Sequence, residues 1–119
     1  MSKLKQVCKQ LEITLGSIVG IGATDDVTIG LINTKTKKYQ STRFTGDHEI
    51  SSLVGNITTM DGDVYLHCHV TVCNAEHKAF GGHLTSAIIS ATFEGVIDVI
   101  DGQGNRKFDP TVGLNLLDL

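Results

Sequence analysis

The chain has 119 residues and a formal net charge of −3, with no tryptophan and 5% aromatic residues, which fits a single globular domain. Its acidic and basic residues are interspersed, so it lacks the basic segment of a nucleic-acid-binding protein. Its aromatic residues are too few for a platform on which bases stack. It also lacks an apolar run of membrane-spanning length, the apolar segment of a signal peptide and a C-x-x-C motif among its three cysteines. We therefore expect a cytoplasmic protein with reduced thiols and no membrane partner.

The N-terminal half is predicted from hydrophobic periodicity. Apolar residues recur at helical spacing in residues 2–12, which predicts an amphipathic helix. Asp25 and Asp26 are expected to form a turn between two strands, and the polar residues 34–37 a loop between two more. The predicted strands of this half are 17–23, 27–33, 38–44 and 51–58.

Residues 64–73 alternate between an apolar face and a polar face, which predicts a half-buried strand. Cys68 lies on the apolar face and is predicted to be a core residue. The polar face carries His67 and His69, whose positions are roughly 6.5–7 Å apart along a strand. Both rings could therefore bind one metal ion at about 2.0–2.1 Å. Because H-x-H also occurs on solvated strand faces, a metal site requires a further ligand.

The third imidazole is predicted from the geometry of a hairpin. Residues 74–77 are turn-like and precede a returning strand that contains His83. A loop of three or five residues places His83 on the face of His67 and His69, opposite one of them. A four-residue loop places it on the other face unless a bulge at residues 81–82 intervenes. Three histidines would leave a fourth zinc position open, as in catalytic rather than structural zinc sites.

The remaining histidines and the C-terminal part receive simpler interpretations. His48 and His77 are predicted to be ordinary loop or surface residues. Cys73 shares the histidine face near the turn, where it could approach a metal, and packing is the favoured interpretation. The β-branched residues 87–100 predict one long strand, and an apolar tail follows it. The lysines and arginine of residues 35–43 are predicted to form a solvated hairpin face.

Four segments occur together in the order and spacing of a known family, namely residues 16–23, 49–57, 65–69 and 81–84. On these segments, residues 1–119 resemble one domain of the prokaryotic branch of the PPC (plants and prokaryotes conserved) family. The resemblance implies an α+β fold, with a mixed, mostly antiparallel sheet and a packed helix, similar to the acetolactate decarboxylase-like fold. It also implies a homotrimer and one divalent metal per chain, expected to be zinc, at His67, His69 and His83. Because family members carry a strand before the first helix, we expect that this chain lacks it.

Several functions follow from the resemblance. The first is a metal-containing binding or regulatory module, to which the family attaches DNA binding by association. Plant relatives carry AT-hook sequences that are missing here, and the charge balance does not favour DNA. The second is a zinc-dependent hydrolase or lyase, with Glu49 as the candidate general acid or base and Glu76 less favoured. The simpler interpretation of Glu49 is a solvated carboxylate. A third possibility is a structural ion that bridges subunits.

Overall fold

The computed structural model describes residues 1–118, which form one helix and six strands. No helix among them is long and apolar enough to cross a membrane. The elements are α1 (Ser2–Gln10), β1 (Gly16–Asn33), β2 (Lys38–Met60), β3 (Asp63–Cys73), β4 (Ala79–Val99), β5 (Arg106–Asp109) and β6 (Leu114–Leu117).

The first four strands close into an antiparallel barrel in the order β1-β2-β3-β4, with β1 also paired to β4. A separate antiparallel hairpin is formed by β5 and β6. Parallel pairing in residues 1–118 is confined to an isolated bridge between Thr59 and Asn105. The predicted mostly antiparallel sheet with one short helix is therefore confirmed.

The loop at residues 34–37 separates β1 from β2, as predicted. The strands are nevertheless longer than predicted, because neither the predicted turn at Asp25 and Asp26 nor the interval between the predicted strands 38–44 and 51–58 interrupts them. Residues 24–26 form an irregularity within β1, where the buried Thr24 hydroxyl donates to the Ile88 carbonyl at 2.6 Å and accepts from the Asp26 N–H at 3.3 Å. In β2, Gly46 allows the chain to continue through a positive φ of 89°. The prediction of four separate strands in this half was wrong. Helix α1 also ends two residues earlier than predicted, before Glu12, whose φ is 54°.

The barrel interior holds the main core, and α1 covers a smaller one. Cys68 and Val72 are fully buried on the predicted apolar face of β3, which confirms the alternation in that strand. The main core consists of Ile18, Val27, Ile29, Ile50, Leu53, Cys68, Val70, Val72 and Leu84. The smaller core consists of Cys8, Ile13, Ile57 and Val64. The histidine face of β3 therefore lies on the outside of the barrel.

Candidate metal centre

The hairpin between β3 and β4 sets the relation between the histidines. Its last pair, Cys73 with Ala79, closes a five-residue loop, and His69 lies directly opposite His83. The Asn74 side-chain oxygen stabilises this loop by accepting the N–H groups of residues 76 and 78 at 3.1 and 3.0 Å. The pairing of the two strands needs no bulge at residues 81–82. The structure therefore has one of the predicted odd-numbered loops, and His83 lies on the predicted face.

His67, His69 and His83 form one group on the outer face of the barrel. Their ligand atoms all lie within 4.8 Å of one another, and no other group of three potential metal ligands occurs in residues 1–118. The ring centroids are 5.2 to 5.6 Å apart. Nitrogens on one tetrahedral zinc ion, each at about 2.0–2.1 Å, would be about 3.3 Å apart. The limit of 4.8 Å between the ligand atoms is of the same order as this spacing, and the residues therefore fit a metal.

Burial favours the neutral form of two of these rings. It is the main cause that lowers the pKa of His67, and the nearby His83, Arg106 and His69 lower it further. Burial and the neighbouring His69 lower the pKa of His83 in the same direction. A neutral imidazole has the free electron pair that a metal requires. At neutral pH these two side chains are therefore suited to ligation.

Tyr39 closes one side of the group. Its ring stands edge-on to His83 at a centroid distance of 6.2 Å, and its hydroxyl is 2.8 Å from the Thr85 hydroxyl oxygen. This position exists because residue 30, the β1 partner of His83, is glycine. A Cβ on Gly30 would overlap the Tyr39 ring and hydroxyl. Gly30 therefore determines how closely an aromatic side chain approaches the group.

The β5–β6 hairpin forms one wall of a cavity of about 330 Å³ beside the three histidines. Arg106 lines this cavity and is only 8% exposed. Sequence reasoning missed Arg106, because the tail shows only scattered leucines and no pattern that predicts a hairpin. The other lining residues outside the histidine group are Gly30, Leu31, Ile32, Tyr39, Tyr65, Leu114, Asn115 and Leu116.

The candidate acid–base residues lie away from the histidine group. Glu49 is exposed and pairs with Cys73, four residues from His69 along β3, or about 13 Å of strand. Glu76 is in the hairpin loop and forms an ion pair with Lys78 at 2.5 Å. Neither carboxylate lines the cavity. A catalytic role for Glu49 stays a prediction.

The remaining polar candidates also lie outside the group. A ring nitrogen of His48 is 2.7 Å from the Gly46 carbonyl oxygen, and His77 occupies a loop position with a φ of 61°. The Cys73 thiol contacts the Ser51 hydroxyl oxygen at 3.8 Å. His77 is exposed in the hairpin loop, whereas His48 is half-buried within β2 and not in a loop.

The fold and the site together define a small antiparallel barrel protein with a three-histidine group beside a cavity. The sequence model of the Plants and Prokaryotes Conserved (PCC) domain matches residues 1–101. A comparison with curated proteins finds no match. The chain therefore belongs to the PCC family, whose name is also written PPC.

Solved structures share this fold over almost the whole chain. A "putative dna binding protein" from Bacteroides thetaiotaomicron is 41% identical, with a TM-score of 0.95 over 98% of this chain and 82% of that chain. A PPC protein from Pyrococcus horikoshii is 30% identical, with a TM-score of 0.91 over 99% and 82%. A metal-containing protein from Archaeoglobus fulgidus is 28% identical, with a TM-score of 0.90 over 99% and 84%.

Proposed function

We propose that this protein is a metal-binding module in which His67, His69 and His83 hold one divalent ion per chain, zinc in preference. The main evidence for this proposal is that the ligand atoms of three imidazoles lie within 4.8 Å of one another. A set of imidazoles without carboxylates suits zinc and other late transition metals rather than magnesium or calcium. The metal-containing protein of Archaeoglobus fulgidus, which has the same fold, supports this assignment.

Metal content tests this proposal directly. The protein would be purified without a nickel column, and its metals measured by elemental analysis before and after His67→Ala. We expect about one zinc ion per chain in the wild type and a large loss in the variant, because the remaining two histidines leave an incomplete site. His77→Ala is the matched control and should keep its metal, since His77 lies in the hairpin loop. Equal metal content in the wild type and His67→Ala would contradict the proposal.

We also propose that the module assembles as a homotrimer, as the family resemblance implies. Val96, Val19 and Val54 lie side by side on β4, β1 and β2, and each is at least 50% exposed. Val54 in turn pairs with His69, so this valine row leads to the histidine group on the same outer face. A contiguous apolar row is costly to leave in water. Self-association through the valine row would cover it and bring a neighbouring subunit close to His69.

DNA binding is the role that the family carries, and the basic residues give it little support. Two of the cations in residues 35–43 are engaged within the chain, because Lys37 donates to the Pro110 carbonyl and Arg43 pairs with Asp26. The net charge remains −3. We propose that a single chain does not recognise duplex DNA by sequence, and that its regulatory role is exercised through the metal site and the assembly.

The second candidate function is a zinc-dependent hydrolase or lyase, and the cavity beside the histidines favours it. Bound zinc would polarise a carbonyl or lower the pKa of a water molecule. No aspartate or glutamate lines the cavity in residues 1–118, so Glu49 would have to act from outside it. Zinc-dependent hydrolysis of p-nitrophenyl acetate, lost in His67→Ala and kept in His77→Ala, would support this candidate. Equal rates in the two variants would contradict it for that ester.

A further inference from the structure

Arg106 is a buried cation with uncharged partners. Its Nε donates to the Thr58 hydroxyl, its Nη1 to the Asn115 carbonyl and its Nη2 to the Asn56 side-chain oxygen, each at 2.8 Å. No carboxylate of residues 1–118 forms an ion pair with it. Arginine is rarely buried to this extent without a charged partner. The arrangement therefore leaves a positive charge that an anion could neutralise.

The other arginine of the chain shows the usual arrangement. Arg43 is exposed and forms two hydrogen bonds to the Asp26 carboxylate. Its side chain does not line the cavity, whereas Arg106 does. The two residues therefore provide a matched pair, in which one guanidinium already has a carboxylate and the other lacks one.

The Arg106 guanidinium lies close to the histidine group. Its central carbon is 5.0 Å from the centroid of the Tyr65 ring, and Tyr65 is two residues from His67 on the same face of β3. Its partner Asn56 is the direct β2 neighbour of His67. A guanidinium has five N–H groups, and three of them make the hydrogen bonds described above. One N–H group on each terminal nitrogen makes none of these bonds and is available to a ligand.

We propose that Arg106 binds the carboxylate of a small organic acid in the cavity beside the three histidines. The planar guanidinium matches a carboxylate in shape and charge. The volume of about 330 Å³ is near the lower end of the range of about 300–1,000 Å³ for small-molecule sites. Leucines line the walls, so the acid carries a short apolar chain. The inference deepens the proposed function. It rests on that function only for the metal ion beside the bound acid.

Nuclear magnetic resonance of the wild-type protein tests the proposal without a substitution at the site. The chain has two arginines, so ¹⁵N labelling gives two Nε–H signals, which Arg43→Gln assigns. Titration of the zinc-loaded protein with butanoate should move the Arg106 signal and leave the Arg43 signal in place. Butanamide, which is similar in shape but uncharged, should move neither at the same concentration. Equal shifts with both compounds, or no shift with butanoate, would overturn the proposal.

Calorimetric titration of variants measures the contribution of the guanidinium. Arg106→Gln should weaken butanoate binding about tenfold or more, because it removes charge-assisted hydrogen bonds. Arg43→Gln makes the same chemical change outside the cavity and should stay within about twofold of the wild type. If Arg106→Gln fails to fold, Leu116→Glu provides the second variant. It introduces a competing carboxylate at the cavity wall and should abolish butanoate binding. Unchanged affinity in a folded Arg106→Gln or Leu116→Glu protein would overturn the inference.

Zinc content, measured on each sample, separates this inference from the proposed function. Zinc in the wild type at about one ion per chain, without a butanoate-dependent shift of Arg106, would overturn the inference and leave the metal module intact. A wild type without zinc would contradict the metal module. The response of Arg106 to butanoate in the zinc-free protein would then decide the inference by itself.

Discussion

The position of His83 depends on a close approach of β4 to β1 at the preceding residue, Gly82. A Cβ at Gly82 would lie 2.7 Å from the Cγ2 of Ile29 and 2.9 Å from the carbonyl oxygen of Gly30. Ile29 is 7% exposed, and the Gly30 oxygen is part of the β1 backbone, so neither can move away freely. We therefore expect Gly82→Ala to force β4 away from β1 and to displace His83.

The neighbouring residue Gly81 provides the control for this substitution. A Cβ at Gly81 would lie 3.1 Å from the Val70 carbonyl oxygen and 3.2 Å from the Thr71 hydroxyl oxygen, so the neighbours need move only slightly. Overpacking at Gly82 should cost about 1–3 kcal/mol of unfolding free energy, which lowers Tm by roughly 4–12 °C in a domain of this size. At Gly81 the reduced freedom of the unfolded chain contributes about 0.4–1 kcal/mol in the opposite direction. Gly81→Ala should therefore remain within about 1 kcal/mol of the wild type.

Thermal unfolding of the metal-free proteins, followed by circular dichroism, measures this difference without a contribution from the ion. Competition with a chelator of known zinc affinity then reports the geometry of the site. Gly82→Ala should lose zinc to the chelator at a lower concentration than Gly81→Ala. A Gly82→Ala protein that is as stable as Gly81→Ala and binds zinc equally well would refute the link between strand approach and the position of His83.

Three further predictions concern assembly, thiol chemistry and DNA. Light scattering should give the mass of three 12.8 kDa chains for the wild type and of a single chain for Val54→Lys. Leu11→Lys, a change at an exposed residue at the end of the helix, is the control and should remain a trimer. A monomeric wild type would contradict the assembly. Burial raises the pKa of Cys68 to about 11 and also raises the pKa of Cys8. At pH 8 a thiol reagent should therefore modify Cys73 first and the other two cysteines only after unfolding. Equal reaction rates of all three thiols in the native protein would refute the burial of Cys8 and Cys68. Fluorescence anisotropy at two salt concentrations should show no sequence-specific duplex binding tighter than the non-specific range of about 10⁻⁴–10⁻⁶ M at physiological salt. Submicromolar binding that prefers AT-rich or GC-rich duplexes would overturn this prediction.

The histidine hairpin could be predicted from the sequence because its information is local. Alternation in residues 64–73 fixes which side chains share a face, and a short loop fixes the parity of the returning strand. The sequence left the loop length open, and the structure has five residues between the paired Cys73 and Ala79. The placement of His83 opposite His69 follows from that number.

The continuity of the long strands could not be predicted in the same way. Asp25 and Asp26 indicate a turn by composition, but the buried Thr24 of β1 holds the irregularity within one strand through hydrogen bonds to Ile88 of β4 and to Asp26. Its partner Ile88 is 64 residues away in the sequence. Local preference was overridden here by a tertiary contact, which a periodicity argument does not contain.

The role of Arg106 could not be predicted either, because it also depends on contacts between residues distant in the sequence. Its three acceptors come from β2 and β6, and the nearest of them in sequence, Asn115, is nine residues away. In the sequence it is one arginine at the start of an apolar tail. Only the folding of the β5–β6 hairpin against β2 brings its charge to the cavity.

The proposed metal ligands and the opposite cavity wall come from different parts of the chain. The three histidines lie on β3 and β4, within the residues 1–101 that match the family. Arg106 and the leucines of β6 lie beyond that match, on the β5–β6 hairpin. Substitutions in the hairpin can therefore alter the cavity while the barrel keeps the histidines in place. For the proposed module, the barrel determines metal binding, and the hairpin determines which acid lies beside the metal.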